Sequence, residues 1–551
     1  MRRRPSRRTF DLPPKPALTF HLEEDSFATT QREGAMLQTA DTLRQDKAFD
    51  TLTSAILERD PARTADTFFR MVKHEGRSIP EAVSVVMAAE APFVQVPNHI
   101  NIKDGQIVLI NNDHTILGIR TSAALIPYMP KGYEMLPMLQ SVWYITAGLD
   151  IWNQLLGKYP GRYASMKGMN VPPPDYGPVV WNQDQKPLRE GNTIEERLHN
   201  HMLATMGGEV VRSYRLFLDL AADPDARDQL RDQMLFLGLI DIQDTISGRK
   251  ARNTGHKALR ARAITGLADY VGWDNAHGVF YTGVPDMAIG PLYYSAYDAA
   301  CVVLGEAFPD GHKHLREGNK TPLTPAEVES FIDLIMTGTG PAVWNQLTEY
   351  LKAGKSIRSL GDTIQIAAAE LILRNVVPRK FTDGQHPFDY SNTANHWFRT
   401  STSPYQPRIL YLMANFVNDS SQANKWFSSG LHDEIKGFDG KGRSAAQLLT
   451  QLDESIMSFD IAGSTAVANA YLQSGADVKA YFSTVAVTAS KFQDDPHNQK
   501  ITHSAIQEYE NNSTHLKDRL LLAAVRQLAG WPKMPGERDC YARFMSDWIK
   551  H

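Results

Sequence analysis

The chain repeats itself. Asp104-Gly105-Gln106 … Arg120-Thr121-Ser122 returns as Asp383-Gly384-Gln385 … Arg399-Thr400-Ser401 with the same internal spacing, at an offset of 279. Just upstream, Gly76-Arg77-Ser78-Ile79 returns as Gly354-Lys355-Ser356-Ile357 (offset 278), and Ala88-Ala89-Glu90 returns as Ala368-Ala369-Glu370 (offset 280). Three matches in one order at nearly one offset point to internal symmetry, which constrains the architecture before any motif is read. Duplicated units can also each offer a side chain to a shared axis, so the symmetry says where a site can form.

The pattern inside those units is helical. From about residue 34 onward, many windows carry apolar residues at a 3.6-residue period, among them Val210–Ala222, Arg227–Ile246, Ala326–Met336 and Lys517–Leu528. Gln106–Ile110 is the best short strand candidate. One plan recurs: a helix from Arg63 to Glu75, Gly76, then a helix from Pro80 to Ala91. It recurs at Pro341–Ala353, Gly354 and Arg358–Asn375, and at Thr465–Ser474, Gly475 and Val478–Phe492. A looser version is Val210–Ala222, the turn Asp223-Pro224-Asp225, and Arg227–Ile246. Glycine ends the first helix in the three clear copies, where left-handed backbone is least costly. Each unit is an αα-hairpin whose apolar face needs a neighbour. The fold expected is all-α, with internally repeated helical hairpins stacked into one large array or ring-like bundle.

Residues 1–33 read as an extended, basic, Pro-containing arm, followed by an N-terminal helical part (34–170), a central part (190–320) and a C-terminal part (323–551) of one compact unit. The Pro-rich stretch Val171–Pro187 separates the first two parts. Ser6-Arg7-Arg8-Thr9-Phe10 looks like a twin-arginine export signal, but Asp11-Leu12-Pro13-Pro14-Lys15-Pro16 follows where an apolar segment is needed. The expectation is a cytoplasmic protein. A net charge of −4 over 551 residues gives no reason to expect a nucleic-acid surface. No stretch reaches the roughly 18 apolar residues of a membrane span. With only Cys301 and Cys540, a disulfide framework or thiolate cluster is excluded.

After the second helix of each unit comes a polar stretch with a histidine. The four are His99 in Val96-Pro97-Asn98-His99, His256 in Asn253-Thr254-Gly255-His256, His386 in Gly384-Gln385-His386-Pro387 and His497 in Asp495-Pro496-His497-Asn498. If the units are quasi-equivalent, these imidazoles converge, and imidazole suits Fe, Zn, Ni and Cu. His114, His277 and His396 are alternates, each with Asn or Asp neighbours that can fix ring orientation. The competing reading is that all are turn or cap histidines, since turns and helix ends are polar places. The 279 offset maps His99 onto Pro378, so equivalence holds by region only, and no pair has a strong metal spacing such as His-Glu-x-x-His.

Other patterns are weaker. Glu196-Arg197-Leu198-His199 has a di-iron spacing without its second copy, and reads as a solvated helix face. Ala353-Gly354-Lys355-Ser356 ends like a phosphate loop, but Glu349 stands where the first glycine belongs. Gly148–Leu155 and Gly340–Leu347 share Gly-x-x-x-Trp-Asn-Gln-Leu, and Val279–Tyr297 gathers Phe280, Tyr281, Tyr293, Tyr294 and Tyr297 around Asp286 and Gly290. Aromatic walls of that kind suit a flat apolar ligand, although core packing is their commoner use.

In layout the chain resembles the questin oxidase-like family, through the histidine stretches at His99, His256, His386 and His497 within about residues 60–500. The resemblance implies an all-helical non-haem iron oxygenase of polyketide aromatics, with several histidine ligands and a modified lysine. Lys257, beside His256, is the one tempting position for that lysine. The early His-rich cluster expected of the family is not evident. The leading expectation is an oxidoreductase whose histidines hold one Fe(II) and which acts on an aromatic or apolar small molecule. Asp113, Asp274 and Asp286 are its candidate acid–base or orienting groups. The rivals are a non-catalytic helical-repeat scaffold and a metal-independent Asp/His enzyme.

Overall fold

Helix-forming patterns dominate the chain, and helices dominate the structure, a computed structural model. It describes residues 37, 39–94, 99–103, 106–110, 114–156, 185–242, 255–288, 294–375, 381–423, 440–493, 496–530 and 536–551. The arm at 1–33, most of the Pro-rich connection and Asp113 lie outside these. Ala35–His551 form one compact unit. Its all-α character agrees with the sequence. No helix among the described residues is long and apolar enough to cross a membrane.

The hairpins are present at all four places. They are α1 (Pro61–Lys73) with α2 (Ile79–Val94), α4 (Val210–Ala221) with α5 (Arg227–Ile240), α8 (Gly340–Lys352) with α9 (Ile357–Leu373), and α11 (Ile461–Gln473) with α12 (Val478–Ala489). Local chemistry explains their ends. Asp60, Thr339, Asp460 and Asp477 each cap a helix start by accepting a backbone N–H two or three residues on. Gly76, Gly354 and Gly475 take φ of +73°, +75° and +69°, so a carbonyl-satisfying turn forms without a Cβ penalty.

Each hairpin is followed by a further helix that carries a histidine at or near its start. These are α3 (His114–Leu125), α6 (His256–Val271), α10 (Phe381–Thr400) and α13 (His497–Asn511). The four pack in a closed cycle, α3 on α6, α6 on α10, α10 on α13 and α13 on α3. Before the first of them a short antiparallel pair intervenes, β1 (His99–Lys103) with β2 (Gln106–Ile110), His99 standing opposite Ile110. The strand candidate Gln106–Ile110 thus falls where expected. Its sequence echo, Gln385–Asp389, is helical instead, inside α10. The 279 offset therefore does not relate α3 to α10: His114 and His386, which hold corresponding places, lie 272 residues apart.

Close backbone approach positions these helices. Short α7 (His277–Gly283) lies against α2, and a Cβ on Gly278 would stand 2.3 Å from the Ala88 nitrogen and 2.4 Å from the Met87 carbonyl carbon. Backbone cannot yield as a side-chain tip can. Gly278→Ala is expected to destabilise the fold by about 2–3 kcal/mol, the cost of overpacking a tight core, read as a lower urea midpoint. Gly305→Ala, where a Cβ meets nothing within 4 Å, should leave the midpoint unchanged or slightly higher.

Candidate functional site: an imidazole quartet at one end of a four-helix bundle

Four imidazoles meet where α3, α6, α10 and α13 begin. Ring centroids are 5.2 Å apart for His114–His256, 5.0 Å for His256–His386, 6.1 Å for His386–His497 and 5.1 Å for His497–His114. The contacts close a cycle in the same order as the helix packing. Since the rings lie at the same end of helices that pack side by side, the four helices run the same way from the quartet. His114, His256 and His497 are the first residues of their helices, and His386 is the sixth of its own.

The surroundings hold the rings in place. Gly255, at φ +60°, lets the chain turn into His256 against the Tyr390 ring, where a Cβ would come within 3.1 Å. Gly118 on α3 admits Pro496, which seats His497 beside His114. The Gln385 side-chain amide donates to the His497 carbonyl (2.9 Å) and to Asp389 (3.1 Å). Ser122 on α3 donates to Gln499 Oε1 on α13 (2.7 Å), and the Tyr390 hydroxyl donates to the Leu239 carbonyl (2.7 Å). Burial, then Lys500 and the three neighbouring imidazoles, push the His497 pKa well below its usual value. Its ring is therefore neutral at physiological pH, the form that offers a lone pair.

The Nε2 atoms of His256 and His386 are 3.2 Å apart. Two imidazole nitrogens sharing one first-row metal, each about 2.0–2.1 Å from it, stand about 2.8–3.4 Å apart for bond angles between the octahedral and tetrahedral values. The same 3.2 Å also suits one proton shared between the rings. Among the described residues no group of three or more His, Cys, Asp or Glu is arranged to hold a metal ion as it stands. The quartet offers the donor type, three buried rings with a half-buried fourth, and one nitrogen pair at chelating distance.

Of the sequence candidates, His256, His386 and His497 come together, and the alternate His114 supplies the fourth ring. His99 sits in β1, and its side chain lies outside the described residues, as does Asp113. The β1–β2 pair separates the end of α2 from the start of α3, so the histidine nearest α2 in sequence is not the one that opens the bundle helix. His277 opens α7 against α2, and His396 lies ten residues along α10 from His386, among arginines. Asp274 is a half-exposed partner of Arg227 (2.5 Å). Asp286 is buried near Lys257 and Arg260. Phe280 packs on Phe217 and Trp273, and Tyr281 on Tyr214, so these aromatics are core. His199 is exposed on its helix, and Gly354 is a helix end.

Lys257 is not a free amine. It forms an ion pair with Asp241 at 2.5 Å, each side chain 1% exposed. The buried lysine near the quartet is Lys500, one turn after His497, and sequence reading passed over it. It also gave Glu90 no role beyond its part in the echo. Glu90 on α2 is fully buried with the Thr115 hydroxyl alongside, next in sequence to His114, and burial pushes its pKa up to about 8. Only a helical register shows these residues: Lys500 is three residues from a quartet histidine, and Glu90 reaches the bundle from a neighbouring hairpin.

Comparison with family models, curated proteins and solved structures finds no match.

Two outcomes follow for the buried charges. Asp241→Asn leaves the Lys257 ammonium buried without its counter-charge and should cost about 3–5 kcal/mol, whereas Asp241→Leu with Lys257→Met should cost far less; urea unfolding of the three proteins checks it. Glu90 has a folded-state pKa above its unfolded one, so its contribution is complete below about pH 4.5 and is lost as pH rises toward 8. Glu90→Gln should therefore match the wild type near pH 4.5 and exceed its stability above pH 8, in thermal melts across that range.

Proposed function

We propose that the chain is a metal-dependent oxidoreductase whose His114, His256, His386 and His497 hold one first-row transition metal, Fe(II) in the leading reading. The observation that carries this is the meeting of four imidazoles, drawn from four separate parts of the chain, in one cycle of three buried rings and one half-buried ring. Turn or cap histidines have no reason to converge. Four neutral nitrogen donors suit Fe, Cu, Ni or Zn over Mg or Ca, which prefer oxygen. When bound, iron in a site with open positions supplies one-electron chemistry with O₂.

The chain's own residues then have defined tasks. The imidazoles offer lone pairs, and burial keeps that of His497 unprotonated. The apolar hairpins around the bundle exclude water. Glu90 holds a proton on its carboxyl near neutral pH and joins buried Asp286 as a candidate for an acid–base role, while Asp274 is engaged by Arg227. An aromatic or apolar small molecule as substrate is the class implied by the resemblance to the questin oxidase-like family. In that resemblance Lys500, not the ion-paired Lys257, would be the lysine of interest.

Elemental analysis of protein purified without chelators is expected to give close to one transition metal per chain. His256→Ala and His386→Ala should each lower that content at least several-fold. His515→Ala, an exposed histidine beside Glu329, should not. A fully folded protein that takes up no Fe(II) would sink the proposal and leave the helical-repeat scaffold.

A further inference from the structure

One turn beyond the quartet the bundle interior changes from imidazole to charge. Three residues on from each histidine stand Leu117, Leu259, Asp389 and Lys500; six on stand Arg120, Arg262, Asn392 and His503. All but His503 line a cavity of about 20 Å³, more than the roughly 10–15 Å³ that one water needs. The cavity lies about 5–9 Å along the axis from the ring layer, at 1.5 Å per helical residue.

The charges in this layer do not balance. Among the described residues, Arg120, Arg262, Arg399 and Lys500 face two carboxylates, Asp389 and Glu508. Glu508 is taken by Arg399 (2.9 Å) and by the amides of Asn392 (2.6 Å) and Asn395 (3.1 Å). Asp389 accepts from Ser504 (2.9 Å) and Gln385 (3.1 Å), and burial raises its pKa against the pull of Lys500 and Arg262, so one carboxylate is shared among three cations. His396 and His503, held neutral by burial and the arginines, add nothing.

The three remaining cations are poorly matched. Arg120 hydrogen-bonds His503 Nδ1 (3.2 Å), a neutral ring. Arg262 donates to the Asn392 and Gln507 amide oxygens, and its Nε makes no hydrogen bond. Lys500, 5% exposed, has no hydrogen-bond partner for Nζ. Burying uncompensated charge is strongly unfavourable, and an anion among these groups removes the penalty.

We propose that this cavity is a binding site for a small monovalent anion of the formate, bicarbonate or chloride class, held by Arg120, Arg262 and Lys500. A cavity of about 20 Å³ is far too small for an aromatic anion. The site rests on charge and shape in the bundle and not on the metal reading, so either can fail alone.

The test follows the Tm of the full chain as formate, bicarbonate or chloride replaces gluconate at constant ionic strength and pH. The wild type should gain a few degrees, saturably, by linkage. Lys500→Met should give a flat response and be no less stable than wild type in gluconate, because its uncompensated charge is gone. Lys500→Arg should keep the response, and Arg120→Gln should weaken it if Lys500→Met does not fold. A flat wild-type response to all three anions would overturn the proposal, as would a Lys500→Met response equal to wild type. So would a protein-bound ¹³C resonance from labelled bicarbonate that Lys500→Arg abolishes, since that marks a covalent carbamate on Nζ.

Discussion

The arrangement depends on four helices packed side by side in one direction, with their positive ends together. Aligned helix dipoles repel when their like ends meet, and each start leaves N–H groups without intrahelical partners. An imidazolium there would add like charge to like; a neutral imidazole does not. Burial keeps the His497 ring neutral, so it adds no positive charge at the start of α13. The quartet and the parallel bundle therefore support one another: without neutral rings the helix starts repel, and without the helices the rings have no cause to meet.

Farther along the bundle the interior is polar rather than oily. Asn392 and Asn395 on α10 donate to Glu508 on α13, Ser504 donates to Asp389, and Gln499 ties α13 to α3. Polar networks of this kind hold only if nearly every member is satisfied, which makes them sensitive to register. A shift of one residue in α10 or α13 would carry Asn392 away from Glu508 and Asp389 away from Ser504. The outer hairpins supply the apolar burial that stabilises the chain, while the inner helices fix which residues face each other.

Much of this was legible from residues alone. The hairpins at Gly76, Gly354 and Gly475 were, because a left-handed glycine after an apolar-periodic run has one common use. Three of the four rings were, because a histidine in a polar stretch between two helical runs marks a helix start. His114 ranked below His99 because the β1–β2 pair inserts residues between hairpin and bundle helix, and spacing cannot reveal an insertion of that kind. The echo at 279 misled in the same region: Gln106 opens a strand and its counterpart Gln385 lies inside a helix, since tertiary packing outweighs a likeness of three residues. Arg120, Arg262 and Lys500 stayed hidden because their shared environment exists only once four registers are known.

The quartet draws its members from positions 114, 256, 386 and 497, so more than a hundred residues separate each from the next. No early segment of a growing chain can assemble it, and no fragment that stops short of residue 497 holds all four rings. Whatever the rings hold would act as a clasp on the finished molecule, fastening distant stretches that otherwise share no covalent proximity. Occupancy would thus double as proof of maturity, distinguishing completed copies from those still in the making.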